Sequence, residues 1–184
     1  MKVLVACEFS GIVRDAFINR GHEAISCDLL PTEREGPHVQ TDIRSILGQE
    51  QYDLLIAFPP CTHLAVSGAR YFKDKKEEQK EALAFVQFLM DASIEKICIE
   101  NPISVISTKI RKPDQIIQPW MFGHEEQKST CLWLKNLSKL IPTNIVKKRD
   151  KNAVLKHSPS NHRWKDRSRT YEGIAKAMAE QWSS

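Results

Sequence analysis

Short apolar, β-branched runs alternate with amphipathic stretches along almost the whole chain. Residues 2–7 predict a first strand, and 11–20 a helix whose Ile12, Val13, Ala16 and Phe17 share one face and which Gly21 closes. Residues 23–28 predict a second strand. Two prolines and a glycine make 29–37 a loop, and 38–42 a short third strand. The runs at 52–57 and 96–99 are continuous rather than alternating, as in strands buried on both faces of a parallel sheet. Between them, 74–92 is charged at its start and apolar later, with Leu83, Val86, Phe88, Leu89 and Met90, which predicts a helix. A polar connection containing Pro113 and Pro119 leads to a further strand at 130–134, and 171–182 forms a closing helix. This rhythm predicts an α/β fold with a mostly parallel, doubly wound sheet.

In such a sheet, reactive groups gather beyond the carboxyl ends of the strands. Two short motifs stand there: Pro59-Pro60-Cys61 after one buried run and Glu100-Asn101-Pro102 after the other. A thiol is the side-chain nucleophile nearest to activation at neutral pH, and a carboxyl can give a proton or a strong hydrogen bond. Facing one cytosine ring, the pair would meet two needs. Thiolate addition to C6 makes C5 enamine-like, and a proton at N3 eases that addition. Cysteine is more often a buried small hydrophobe, but a double proline ends the strand and aims Cys61 into a loop. Glu100 directly follows Ile97-Cys98-Ile99, which disfavours a solvated carboxylate.

Length and composition narrow the picture. The 184 residues, 41% hydrophobic and 27% charged, suit one soluble domain, 1–184. The apolar amino terminus is too short for a signal peptide, and no run approaches membrane length. Five scattered cysteines, Cys7, Cys27, Cys61, Cys98 and Cys131, argue against a disulfide framework and for a reducing cytoplasm. No CxxC occurs, so no metal site is expected.

The order and context of these motifs resemble the cytosine-C5 DNA methyltransferases. The resemblance implies a Rossmann-like S-adenosylmethionine-dependent methyltransferase fold, in a compact member that could be phage-encoded. Pro59-Pro60-Cys61, with Ser67-Gly68 following, is similar to the family's catalytic Pro-Cys loop, and Glu100-Asn101-Pro102 to its Glu-Asn-Val motif. It implies that Cys61 is the nucleophile, that Glu100 holds N3, and that Asn101 and Pro60 position loop and base. For the cofactor, a close-approach turn after the first strand, an acid ending the second and a polar group after the third are the expected contacts. Phe9, Ser10 and Gly11, then Asp28 with Leu29, then Asp42 with Ile43, stand at those places, with Pro59 beside them. The family's glycine-rich turn is reduced here to Gly11, followed by Val13 and Arg14. Residues 122–128 are similar to a motif whose arginines are missing, leaving Lys128 as the nearby cation. Residues 173–178 are similar to the closing helix motif, without its Gly-Asn.

The family's large recognition domain would occupy the interval 136–170, which is far too short for it. Nine Lys or Arg against two acids fall within 147–170, while the whole chain is only +4. With His157, His162 and Trp164 interleaved, that segment suits phosphates and bases, and it includes Arg163, Lys165, Arg167 and Arg169. A solvated loop is the plainer reading. Ser67 and Arg70 belong to a polar, cationic stretch, 62–76, expected to be mobile and to close on a flipped base. DNA is thus the expected partner, and a homodimer would extend the contact surface. Two other readings stay open: methylation of a free cytosine nucleotide such as dCMP, and a catalytically inactive, DNA-binding or regulatory relative. Amino-directed methyltransferases fit less well, since Phe58 stands where they carry Asp or Asn.

Overall fold

The computed structural model describes residues 1–71, 74–150, 165 and 168–183, with side chains undescribed at 69–71. Seven strands form a single sheet: β1 (Lys2–Ala6), β2 (Glu23–Asp28), β3 (His38–Gln40), β4 (Leu54–Ala57), β5 (Lys96–Pro102), β6 (Gln115–Ile117) and β7 (Thr130–Lys135). Their order across the sheet is β3-β2-β1-β4-β5-β7-β6. The first five strands pair in parallel, and β7 runs antiparallel to both β5 and β6. Among the described residues, four α-helices accompany them: α1 (Ile12–Ile18), α2 (Lys76–Met90), α3 (Ile106–Lys109) and α4 (Glu172–Gln181).

Alternation within each buried strand divides the core in two. Val3, Val5, Leu54 and Ile56 face Val13 and Phe17 of α1 and Ile174, Met178 and Trp182 of or beside α4. Leu4, Ala6, Leu55, Ala57, Ile97 and Ile99 face Val86 and Leu89 of α2. Both faces are therefore apolar, which is why these strands read as continuous hydrophobic runs.

The order reverses at β1, whose neighbours are β2 on one side and β4 on the other. That switch point opens a crevice at the carboxyl edge. β6 extends the sheet where sequence suggested only a polar connection between prolines. Its three residues are held by pairing with β7 and by Gln115, whose side chain bonds the backbone of Leu140 in both directions at 2.8 Å. Among the described residues no helix is long and apolar enough to cross a membrane.

Candidate functional site at the carboxyl edge

In-register pairing of Ala57 with Ile99 sets the ends of β4 and β5 side by side. The turns that follow are joined by several bonds. Asn101 is 1% exposed and donates from Nδ2 to the Pro59 carbonyl at 2.9 Å. The Val66 amide donates to Ile103 O at 3.1 Å, and that of Val105 to Leu64 O at 3.0 Å. Cys61 closes its own turn by accepting from the amides of Leu64 and Ala65 at 3.0 and 2.9 Å. Leu64 is fully buried and anchors this turn, so the first part of the stretch expected to be mobile is tied to the sheet. Ser67 lies in a 3-10 turn, Val66–Tyr71; the side chain of Arg70 is outside the described residues.

The two reactive groups differ in setting. Cys61 is exposed. Glu100 is half-buried, and burial raises its proton affinity, opposed by the charge of Lys128 and a hydrogen bond from Thr130. The carboxyl therefore holds its proton to higher pH than an ordinary glutamate, as a group that protonates a ring nitrogen requires. Lys128 comes within electrostatic reach because β7 begins opposite the end of β5, Thr130 facing Pro102.

Beside these turns lies a cavity of about 340 Å³ lined by the ends of four strands: Cys7 after β1, Cys27, Asp28 and Leu29 at β2, Thr41 to Arg44 after β3, and Pro60 with His63 after β4. Its volume suits a small ligand. Asp28 accepts from the Leu30 amide at 2.9 Å, and burial raises its proton affinity. Asp42 caps the following 3-10 turn through the Arg44 amide at 2.9 Å. Of the residues expected to hold a cofactor, Asp28, Leu29, Asp42 and Ile43 line this cavity; Pro60, expected in the catalytic loop, lines it too, and Pro59 does not. So do Glu78, Glu81 and Phe85 of α2, with the Arg44 guanidinium 5.0 Å from the Phe85 ring centre. Those α2 residues were missed because its charged first turns have the pattern of a solvated face.

Phe9, Ser10 and Gly11 are placed differently. Phe9 and Ser10 are buried, and the Ser10 hydroxyl donates to Glu8 Oε1 at 3.0 Å, which also accepts from the Val13 amide at 2.8 Å. Glu8 is 4% exposed, and burial pushes its pKa up to about 7. Gly11 has φ of 75°, and a Cβ there would lie 2.6 Å from the Arg14 guanidinium. Arg14 itself is fully buried; it pairs with Asp15 at 2.7 Å and donates to Ser26, Thr32 and the carbonyls of Arg34 and Glu35. It thus pins the loop after β2, which leads away from Asp28. Neither Glu8 nor Arg14 was given a site role from sequence; the one available signal was three charged residues, Glu8, Arg14 and Asp15, within an otherwise largely apolar turn and helix.

The basic segment is partly described. Arg163 and Arg167 lie outside the described residues, while Lys165 sits 5.8 Å from the Phe9 ring centre. Arg169, expected among phosphate-facing cations, instead grips Glu33 with two bonds of 2.7 and 2.8 Å and so ties the carboxyl-terminal segment to the loop after β2. The segments around Phe122 and Gly173 meet: a Cβ on Gly173 would lie 1.8 Å from Phe122 O, and the Gly173 amide is 3.0 Å from His124 Nε2.

Buried polar atoms without a partner are revealing. Among the described residues they are Glu8 Oε2, Asn101 Oδ1, Ser104 Oγ and Gln118 Oε1. All four follow or end strands at the carboxyl edge. No group of side chains suited to a metal ion occurs among the described residues.

No family model matches the chain, and no curated protein matches it in sequence. Solved structures do match. A provisionally assigned DNA modification methyltransferase encoded within an Escherichia coli prophage is 13% identical, with 87% of this chain and 56% of that one covered at a TM-score of 0.53. A triply substituted Spodoptera frugiperda DNMT2 is 15% identical, with 82% and 53% covered at 0.48. The chain spans little more than half the length of either. The first likeness and the mostly parallel seven-stranded sheet show a Rossmann-like methyltransferase fold.

Proposed function

We propose that this chain transfers a methyl group from S-adenosylmethionine to C5 of cytosine in DNA, with Cys61 as the nucleophile. The observation that carries this reading is the joining of the two turns: Asn101 bonds the Pro59 carbonyl, so exposed Cys61 and half-buried Glu100 stand on adjacent strand ends beside a cavity that Pro60 lines.

The cavity's residues fit the proposed cofactor. Asp28, at the end of β2, suits a ribose diol, and the apolar side chains of Leu29 and Ile43 suit the faces of an adenine. When bound, S-adenosylmethionine supplies an electrophilic methyl carbon. The chain's own residues would do the rest. Cys61 Sγ, as thiolate, forms a bond to C6 of the ring, and the C5=C6 π electrons become available at C5. Glu100 gives N3 a proton or a strong hydrogen bond, stabilising the electron-rich ring, and Lys128 and Thr130 hold that carboxyl in place. Once C5 carries the methyl group, loss of the C5 proton and cleavage of the S–C6 bond restore the ring and the thiolate. Asn101 keeps the Pro59–Cys61 turn against β5 throughout.

Labelled S-adenosylmethionine, offered with either DNA or dCMP and followed by nucleoside analysis, tests the reading. Label in 5-methyldeoxycytidine from DNA is the expected result. Label in dCMP alone would move the activity to free nucleotides, and no label with intact cofactor binding would make the chain a binding or regulatory relative.

A further inference from the structure

The loop between β6 and β7 carries a flat, charged surface that the reaction above does not use. Arg149 places its guanidinium carbon over the Trp120 ring, 3.8 Å from its centre, within cation–π contact. The pair is held from both sides by backbone bonds. The Val146 amide donates to Trp120 O at 2.9 Å, Gly123 N to Asn144 O at 2.8 Å, and Asp150 N to Glu125 O at 2.8 Å. Arg149 is exposed and Trp120 half-buried.

The register of the sheet puts this surface at the reactive edge. Ile117 pairs with Thr130, and Thr130 pairs with Pro102, so the 118–129 loop begins and ends beside the end of β5, the strand that carries Glu100. Lys128 of the same loop acts electrostatically on Glu100. The strip that covers the loop is itself apolar and cationic: Ile141 is 71% exposed and Ile145 60%, with Lys147 exposed after them.

We propose that Arg149 stacked on Trp120 is a shelf for an unpaired base next to the target cytosine, and that the polynucleotide substrate is taken as a single strand. Within a duplex each base face is already covered by its neighbours, and reading a groove calls for a helix or ribbon that enters it. Residues 136–150 provide neither; they provide a plane. A guanidinium plane backed by an indole accepts a base face of any sequence, and nearby lysines meet the phosphates. The inference rests on the polynucleotide reading of the preceding subsection, which it makes more specific.

The test uses the full chain and a fluorescent dodecamer with one 5-fluorocytosine, as single strand, as duplex, and as single strand with abasic positions flanking that cytosine. The expected result is single-strand binding tighter than duplex binding by about tenfold at equal salt, with the abasic strand falling to the duplex level. Arg149→Lys keeps the charge and loses the plane, so it should abolish the single-strand preference and leave duplex affinity unchanged; Trp120→Ala should do the same if it folds. Equal affinity for strand and duplex, or an Arg149→Lys variant that binds like the wild type, would overturn the shelf. In a parallel incubation with S-adenosylmethionine, covalent trapping of the 5-fluorocytosine reports separately on Cys61, since methyl transfer to C5 leaves no C5 proton to release and the S–C6 bond persists. Trapping without strand preference would sink the shelf alone, whereas plane-dependent single-strand binding without trapping would sink the Cys61 chemistry and keep the shelf.

Discussion

The turns after β1 and after β4 leave neighbouring strands of one sheet at the same edge, yet they are built in opposite ways. The first closes on itself: Glu8 accepts from Ser10 and Val13, Gly11 leaves room for the Arg14 guanidinium, and Arg14 reaches across to the loop after β2. Its polar groups are used inside the protein. The second turn exposes Cys61 and is held from outside, by Asn101 and by the paired backbone of residues 64–66 and 103–105. Internal bonding of this kind keeps the first turn in one shape without help from any ligand. The proposed nucleophile must meet a substrate that comes from solvent, and the second turn is accordingly fixed from the side of β5, leaving Cys61 exposed.

The sharpest way to break this contrast is at Cys61. Because the side chain is exposed, Cys61→Ala should change the melting temperature and S-adenosylmethionine affinity little while methyl transfer becomes undetectable, a loss of more than about 10³-fold. Full activity in that variant would end the covalent mechanism. Next in size is Glu100→Gln. An amide can still hydrogen-bond but supplies no proton, so turnover should fall about 10²-fold with cofactor affinity kept. An unchanged rate would remove Glu100 from the reaction.

A smaller effect is expected from untying the second turn. Asn101→Ala deletes the bond to Pro59 O, worth about 1 kcal/mol, and also deletes an amide oxygen that has no partner among the described residues. Stability should therefore fall only slightly, while kcat should fall about tenfold because the Cys61 turn is no longer registered against Glu100. If stability dropped and kcat did not, Asn101 would be a structural residue only.

Much of this arrangement was readable in the chain, and the exceptions have a common cause. Strands buried on both faces and helices with one apolar face announce themselves within a few residues, so β1, β2, β4, β5 and β7 lie where the apolar runs placed them. The two motifs at strand ends could be located for the same reason. What could not be read depends on partners distant in sequence. β6 is three residues long and exists through β7 and Leu140. Arg14 looked like a mere departure from a glycine-rich turn, because its acceptors apart from Asp15 lie 12 to 23 residues further on. Ser10 was placed by sequence at the cofactor, but its hydroxyl goes to Glu8, a direction that only the fold of the turn decides.

The first turn can be probed through Glu8, and here pH sharpens the contrast. Burial raises its pKa to about 7 from an ordinary value of 4.5, opposed by the bonds from Val13 and Ser10 and by the Arg14 charge. A carboxyl with a raised folded-state pKa favours the fold while both states are protonated. As pH climbs through 4.5 the unfolded chain releases its proton first, and stability is lost until the folded state releases its own near 7; the loss is about 3 kcal/mol. Glu8→Gln imitates the protonated acid at every pH and keeps an oxygen for Ser10 and Val13. The variant should melt with the wild type at pH 4 and several degrees above it at pH 8, the gap opening between about 4.5 and 7. Because the change lies in the closed turn, Cys61 should trap a 5-fluorocytosine oligonucleotide at the wild-type rate in the same variant. Parallel melting curves across that range would show that Glu8 is not held protonated, and a slowed trap would show that the two turns are coupled.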